Sequence, residues 1–138
     1  MAAAWIMACQ AGGVLACAKH YPGHGRTLTD SHAGLPVVTS SRLVLDADLV
    51  PFRAAVKAGV ASVMTAHVAY PALDASGAPA TYSRAMVGGL LREELGFDGL
   101  VVTDALVMEG ALQGLDERQG AVRAMDAGCD LLLYPDDV

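Results

Sequence analysis

Short apolar runs alternate with longer stretches of helical spacing along this chain, and the alternation predicts its architecture. Val14 to Ala18, Val60 to His67, Gly99 to Thr103 and Asp130 to Tyr134 are nearly continuous in apolar residues, the pattern of strands buried on both faces. Between them, Phe52 to Ala58 carries apolar residues at helical spacing and stops at Gly59. Ser83 is placed as an N-cap for a helix over Arg84 to Leu95 that stops at Gly96. Gly110 to Met125 reads as mostly helical, with Gly128 as its stop, and Ser40 to Pro51 reads as a polar crossover. Strands alternating with helices make an α/β fold with a parallel sheet and right-handed crossovers. Polar residues gather where the strands end: Lys19 and His20, His67, and Asp104. Such groups at strand C-termini mark the active face of barrels and doubly wound sheets.

Composition agrees with one domain and narrows its partners. Hydrophobic residues make up 54% and charged residues 17%, too apolar for a disordered chain. A net charge of −6, with no Lys/Arg cluster, argues against nucleic acid or an anionic membrane surface as partner. The three cysteines, Cys9, Cys17 and Cys129, have no CxxC spacing and are read as buried thiols of a reducing compartment. Met1 to Ala18 is almost wholly apolar, but it lacks the basic start of a secretory leader, and Gln10 to Gly13 interrupts it. It is read as a short buried helix over Ala2 to Gln10, a Gly12-Gly13 turn and a strand.

The chemistry concentrates in Lys19-His20-Tyr21-Pro22-Gly23-His24-Gly25-Arg26-Thr27-Leu28-Thr29-Asp30-Ser31-His32, which holds three of the four histidines. Pro22, Gly23 and Gly25 forbid a regular helix, so this is a shaped loop at the end of a strand. His20-x3-His24 imitates helical metal spacing, but Pro22 and Gly23 remove the helix and no Glu or Cys joins the pair, so no metal site is read. Amides around Gly23-His24-Gly25 are suited to a phosphate, which keeps phosphorolysis open as a variant. Taken alone, Asp30-x-His32 is also an ordinary surface pair, and Asp104 is also an ordinary helix N-cap after a strand.

The flanking residues add a resemblance. Lys19 to Gly25 followed by Asp30-Ser31-His32 is similar to a loop of family 3 glycoside hydrolases, more narrowly their β-N-acetylhexosaminidase branch. Val63-Met64-Thr65-Ala66-His67-Val68 and Leu90 to Leu106 resemble the same family further on, in the same order. The resemblance implies a TIM-type (β/α)8 barrel, of which four strand candidates over residues 1–138 would be the C-terminal half of the catalytic domain. It also implies that Asp104 is the nucleophile of a retaining mechanism and that His32, oriented by Asp30, is the acid/base. Lys19 and His20 would contact sugar hydroxyls. His24 is read as loop-shaping or pocket-lining, and His67 as a pocket-wall residue or a ligand contact.

The implied reaction removes terminal β-linked N-acetylglucosamine from peptidoglycan fragments or chitooligosaccharides, with no metal or organic cofactor. The rival reading is a catalytically incompetent half-barrel whose two unpaired sheet edges favour self-association. Relatives of this branch occur in the cytoplasm and as exported proteins, and a cytoplasmic location is the expectation here.

Overall fold

A computed structural model of the chain describes residues 1–133. Its centre is a four-stranded parallel sheet in the order β1-β2-β3-β4, formed by Cys17–Tyr21, Ser62–Thr65, Leu100–Ala105 and Leu131–Leu133. The outer edges of β1 and β4 pair with no other strand among the described residues. Helix α1 (Ala2–Ala11) precedes β1, and α2 (Arg42–Asp48) with α3 (Val50–Lys57) links β1 to β2. A π-helix (Ala85–Glu94) links β2 to β3, and α4 (Glu109–Leu112) with α5 (Glu117–Ala127) links β3 to β4. The parallel α/β class expected from the sequence is the class found. No helix among the described residues is long and apolar enough to cross a membrane.

The main core lies between the sheet and its helices. Val63 and Val101 from neighbouring strands meet Phe52 and Ala55 of α3 and Met86, Val87, Leu90 and Leu91 of the π-helix. Tyr21, at the end of β1, is fully buried, meets the Phe52 ring edge-on at 5.4 Å and donates to the Met86 carbonyl at 3.0 Å. That one bond ties the strand bearing His20 to the π-helix. Tyr21→Phe keeps the ring but leaves a buried carbonyl short of its donor, with an expected cost of about 1–2 kcal/mol. A lowered urea midpoint at unchanged slope checks it.

Several expected boundaries move. Strand β1 begins three residues later than placed, so Lys19 and His20 lie within it rather than beyond its end. The strand expected over Val60 to His67 is shorter, and His67 follows β2 by two residues. Asp104 sits inside β3, not after it. The supposed crossover contains α2, missed because a seven-residue helix with a single buried side chain, Leu45, has too little periodicity to detect. The helix expected over Gly110 to Met125 is two helices, broken where Gln113 and Gly114 take φ of 47° and 75°. Asp116 then starts α5 with a reciprocal capping box to Gln119.

Ser83 does cap its helix, its Oγ accepting from the Met86 N–H at 3.1 Å. Helix α1 is not buried as expected. Only Ile6 reaches the core, whereas Trp5 and Met7 are 62% and 55% exposed. Of the cysteines only Cys129 is buried, and Cys17 stands exposed on β1. The expected strand residue Tyr134 lies outside the described residues.

Candidate active site

Two bulges set the site. Between Ala18 and Tyr21, β1 advances three residues while β2 advances two, and β3 does the same against β4 between Val102 and Ala105. The extra residue breaks the strict two-residue alternation and re-aims the side chains inside it. The first interval holds Lys19 and His20, and the second holds Asp104. Tyr21 is thereby free to enter the core while His20 turns to the opposite face, where its Nε2 lies 3.5 Å from Asp104 Oδ2. The other carboxylate oxygen, Oδ1, accepts from the Ala105 N–H at 2.9 Å. Asp104 is thus held by one oxygen with the second presented toward His20, and its side chain keeps 24% exposure.

Partial burial pulls the His20 pKa below its ordinary value, more than the Asp104 charge raises it, and Lys19 and His24 push the same way as burial. His20 is therefore a neutral ring at neutral pH, available to hydrogen-bond. Lys19 is exposed beside it. An open groove of about 1150 Å³ runs along the outer edge of β1 between α1 and α3, with Lys19, His20 and His24 at one end.

After β1 the chain turns through Gly23, whose φ of 138° excludes other residues and whose carbonyl accepts from the Tyr70 hydroxyl at 2.9 Å. His24 begins a short 3₁₀ turn. Its Nδ1 meets Thr27 Oγ1 at 3.0 Å, and its Nε2 meets Ser31 Oγ at 3.3 Å. The ring also lies edge-on to His20 with centroids 5.9 Å apart. Arg26 pairs with Asp48 of α2 through two hydrogen bonds, pinning the turn from outside.

Asp30 and His32 lie further along and are well exposed, yet they are paired. Asp30 Oδ1 accepts from both the backbone N–H and the Nδ1 of His32, each at 2.9 Å. These two bonds, the backbone one first, hold the Asp30 carboxyl below its usual range. An ionised carboxylate can only accept, so the His32 proton sits on Nδ1 and the lone pair of Nε2 faces outward. That is the arrangement a proton-transferring imidazole needs.

His67 is different. It is 1% exposed, with Nε2 3.0 Å from the Ala105 carbonyl and Nδ1 2.8 Å from Thr81 Oγ1. Both ring nitrogens are engaged by protein, so the ring has no free polar atom for a ligand. Among the described residues no cluster of three His, Cys, Asp or Glu is placed to hold a metal.

Two contributors escaped the sequence reading. Ser31 is the single buried residue between exposed Asp30 and His32, and nothing in the local sequence pattern marks it. Thr81, from the segment after β2, backs His67, and nothing in its sequence context marks it.

The model for the glycosyl hydrolase family 3 N-terminal domain matches residues 1–138. The chain belongs to glycoside hydrolase family 3. Among family members it is 50% identical over 126 residues to a β-hexosaminidase of Thiobacillus denitrificans, covering 88% of this chain and 33% of that protein. It is 42% identical over 144 residues to β-hexosaminidase A of Pseudoalteromonas piscicida, covering 96% of this chain and 24% of that one. The family 3 β-N-acetylglucosaminidase from Paenibacillus sp. superimposes with a TM-score of 0.90 at 48% identity, over 96% of this chain and 25% of the other. The β-N-acetylhexosaminidase of Beutenbergia cavernae does so with 0.89 at 36% identity, over 98% and 40%. The chain therefore spans well under half the length of these relatives.

Proposed function

We propose that this chain carries the active-site half of a retaining β-N-acetylglucosaminidase barrel. The outer edges of β1 and β4, which pair with no other strand among the described residues, and the partial coverage of the relatives support reading the domain as half of a barrel. The Asp30–His32 pair carries the catalytic assignment, because it fixes one tautomer and leaves Nε2 to move a proton. Asp104 Oδ2 forms a bond to the anomeric carbon as the glycosidic C–O bond breaks. His32, protonated on Nε2, gives that proton to the leaving oxygen. In the second step His32 Nε2 takes a proton from water, whose oxygen displaces Asp104 and releases the sugar. His20 beside Asp104 and Lys19 next to it on β1 are contacts for sugar hydroxyls, His24 shapes the loop, and His67 supports the strand end from behind. Terminal β-linked N-acetylglucosamine is the substrate, in keeping with the names of the relatives, and peptidoglycan fragments or chitooligosaccharides are the proposed source.

The test is release of nitrophenol from 4-nitrophenyl N-acetyl-β-D-glucosaminide. It is run on this chain and on a chimera in which the Thiobacillus β-hexosaminidase supplies the remaining length. Turnover in either, exceeding that of the matching glucoside, is expected. Silence from both overturns the assignment, and turnover that requires inorganic phosphate replaces hydrolysis by phosphorolysis.

A further inference from the structure

The loop bearing the dyad has one inward residue, and that residue is clasped from two sides. From Gly25 to Ala33 only Ser31 is buried, at 5% exposure. Its Oγ meets His24 Nε2, and its carbonyl accepts from the Gly110 N–H at 2.9 Å. Gly110 lies in α4, close after the β3 residues Asp104 and Ala105. A Cβ at this position would stand 2.9 Å from the Ser31 carbonyl oxygen and 3.1 Å from those of Gly34 and His67. All three are backbone atoms that no side-chain rotation can move aside.

We propose that Gly110 is a positioning residue that ties the loop of Asp30 and His32 to the segment following the Asp104 strand, through its N–H to Ser31 and its lack of a side chain. The two halves of the proposed chemistry come from different βα units, and the dyad itself is exposed. Something must hold their separation constant. This contact links them directly, because Ser31 lies between the two dyad residues and Gly110 follows the Asp104 strand by a few residues. The His67 carbonyl also borders Gly110, and its ring reaches Ala105, so the same point touches the back of the Asp104 strand. The inference rests on the catalytic roles proposed above, but its structural half does not.

Hydrogen–deuterium exchange of residues 25–34 in the 138-residue chain tests the tether without any activity. Gly110→Ala is expected to speed exchange there by about tenfold while β2 and β3 stay protected. Gly89→Ala, whose Cβ would meet nothing within 4 Å, leaves the loop unchanged. Should Gly110→Ala fail to fold, the Gly110 amide is followed in the wild-type chain, where its bond to the Ser31 carbonyl is expected to slow exchange about tenfold or more relative to an unprotected amide. Wild-type exchange of the loop in folded Gly110→Ala, or an unprotected Gly110 amide, overturns the proposal.

Kinetics supply the second arm. Loss of a placed acid slows poor leaving groups more than good ones. The Gly110→Ala penalty on kcat is therefore expected to be larger for the 4-methylumbelliferyl than for the 2,4-dinitrophenyl glycoside, with KM little changed. Equal penalties overturn the link to His32. A loosened loop, with this chain and the chimera both silent on both substrates, upholds the tether and sinks the hexosaminidase reading instead.

Discussion

Asp104→Asn is expected to lower glycoside turnover by roughly four orders of magnitude or more, the scale on which a lost nucleophile acts. The substitution changes little besides charge. An asparagine amide oxygen can still accept from the Ala105 N–H at the present 2.9 Å, and the side-chain volume is nearly the same. What disappears is the negative Oδ2 that faces His20 and would bond the anomeric carbon. A fall of less than tenfold would move the nucleophile elsewhere. The same variant has a readout that needs no substrate. Asp104 raises the His20 pKa against the larger lowering by burial, so its removal lets burial act unopposed. The His20 ring, followed by NMR, is then expected to titrate at lower pH in Asp104→Asn than in the wild-type chain. An unmoved titration would mean that the 3.5 Å approach does not persist in solution.

Much of this site is legible in the sequence because strand ends and glycine-proline loops leave local marks. The apolar runs gave the order of strands, and the crowding of Lys19, His20 and His24 around Pro22 and Gly23 marked a shaped loop. The spacing of Asp30 and His32 admits the hydrogen bond that is found, since residues two apart in a turn can share one carboxylate oxygen. The bulges at Lys19-His20 and before Ala105 were not legible, because a bulge is a mismatch between two strands and neither strand records it alone. The exposure of Cys17 and of most of α1 was misread for a related reason. Apolar character says that a residue can be buried, while burial needs a neighbouring surface that no single stretch specifies. Gly110 is the sharpest case. It read as the first residue of a helix, and only the approach of three carbonyls shows why a side chain is excluded there.

His67→Ala is expected to cost about 3–5 kcal/mol of folding stability, more than the loss of the Tyr21 hydroxyl. The ring is almost wholly buried and closes a continuous chain of hydrogen bonds. The Ala105 carbonyl can only accept, so Nε2 carries the proton and donates to it at 3.0 Å. Neutral Nδ1 then accepts from the Thr81 hydroxyl at 2.8 Å, and Thr81 Oγ1 in turn accepts from Thr65 at 3.0 Å. Alanine leaves a cavity and takes one hydrogen bond each from the Ala105 carbonyl and the Thr81 hydroxyl, which keep the Met108 N–H and the Ala66 carbonyl as partners, each at 3.2 Å.

The pH dependence has a fixed sign. Burial is the main reason the His67 pKa lies below the ordinary histidine value of 6.5, outweighing the Ala105 bond and the Asp104 charge that raise it. The unfolded chain therefore binds the proton first as pH falls. Stability is complete above about pH 6.5 and declines below it, until the folded ring also protonates. Asp30, Asp74 and Glu94, whose carboxyls are held low by hydrogen bonds, lose their contributions only at more acid pH, so the windows separate. Urea unfolding at pH 7.5 and 5.5 is expected to show a loss for the wild-type chain that shrinks in His67→Gln, with His20 supplying the remainder. An undiminished slope in His67→Gln, or a cost below about 1 kcal/mol for His67→Ala, would show that the buried network does not hold the strand end.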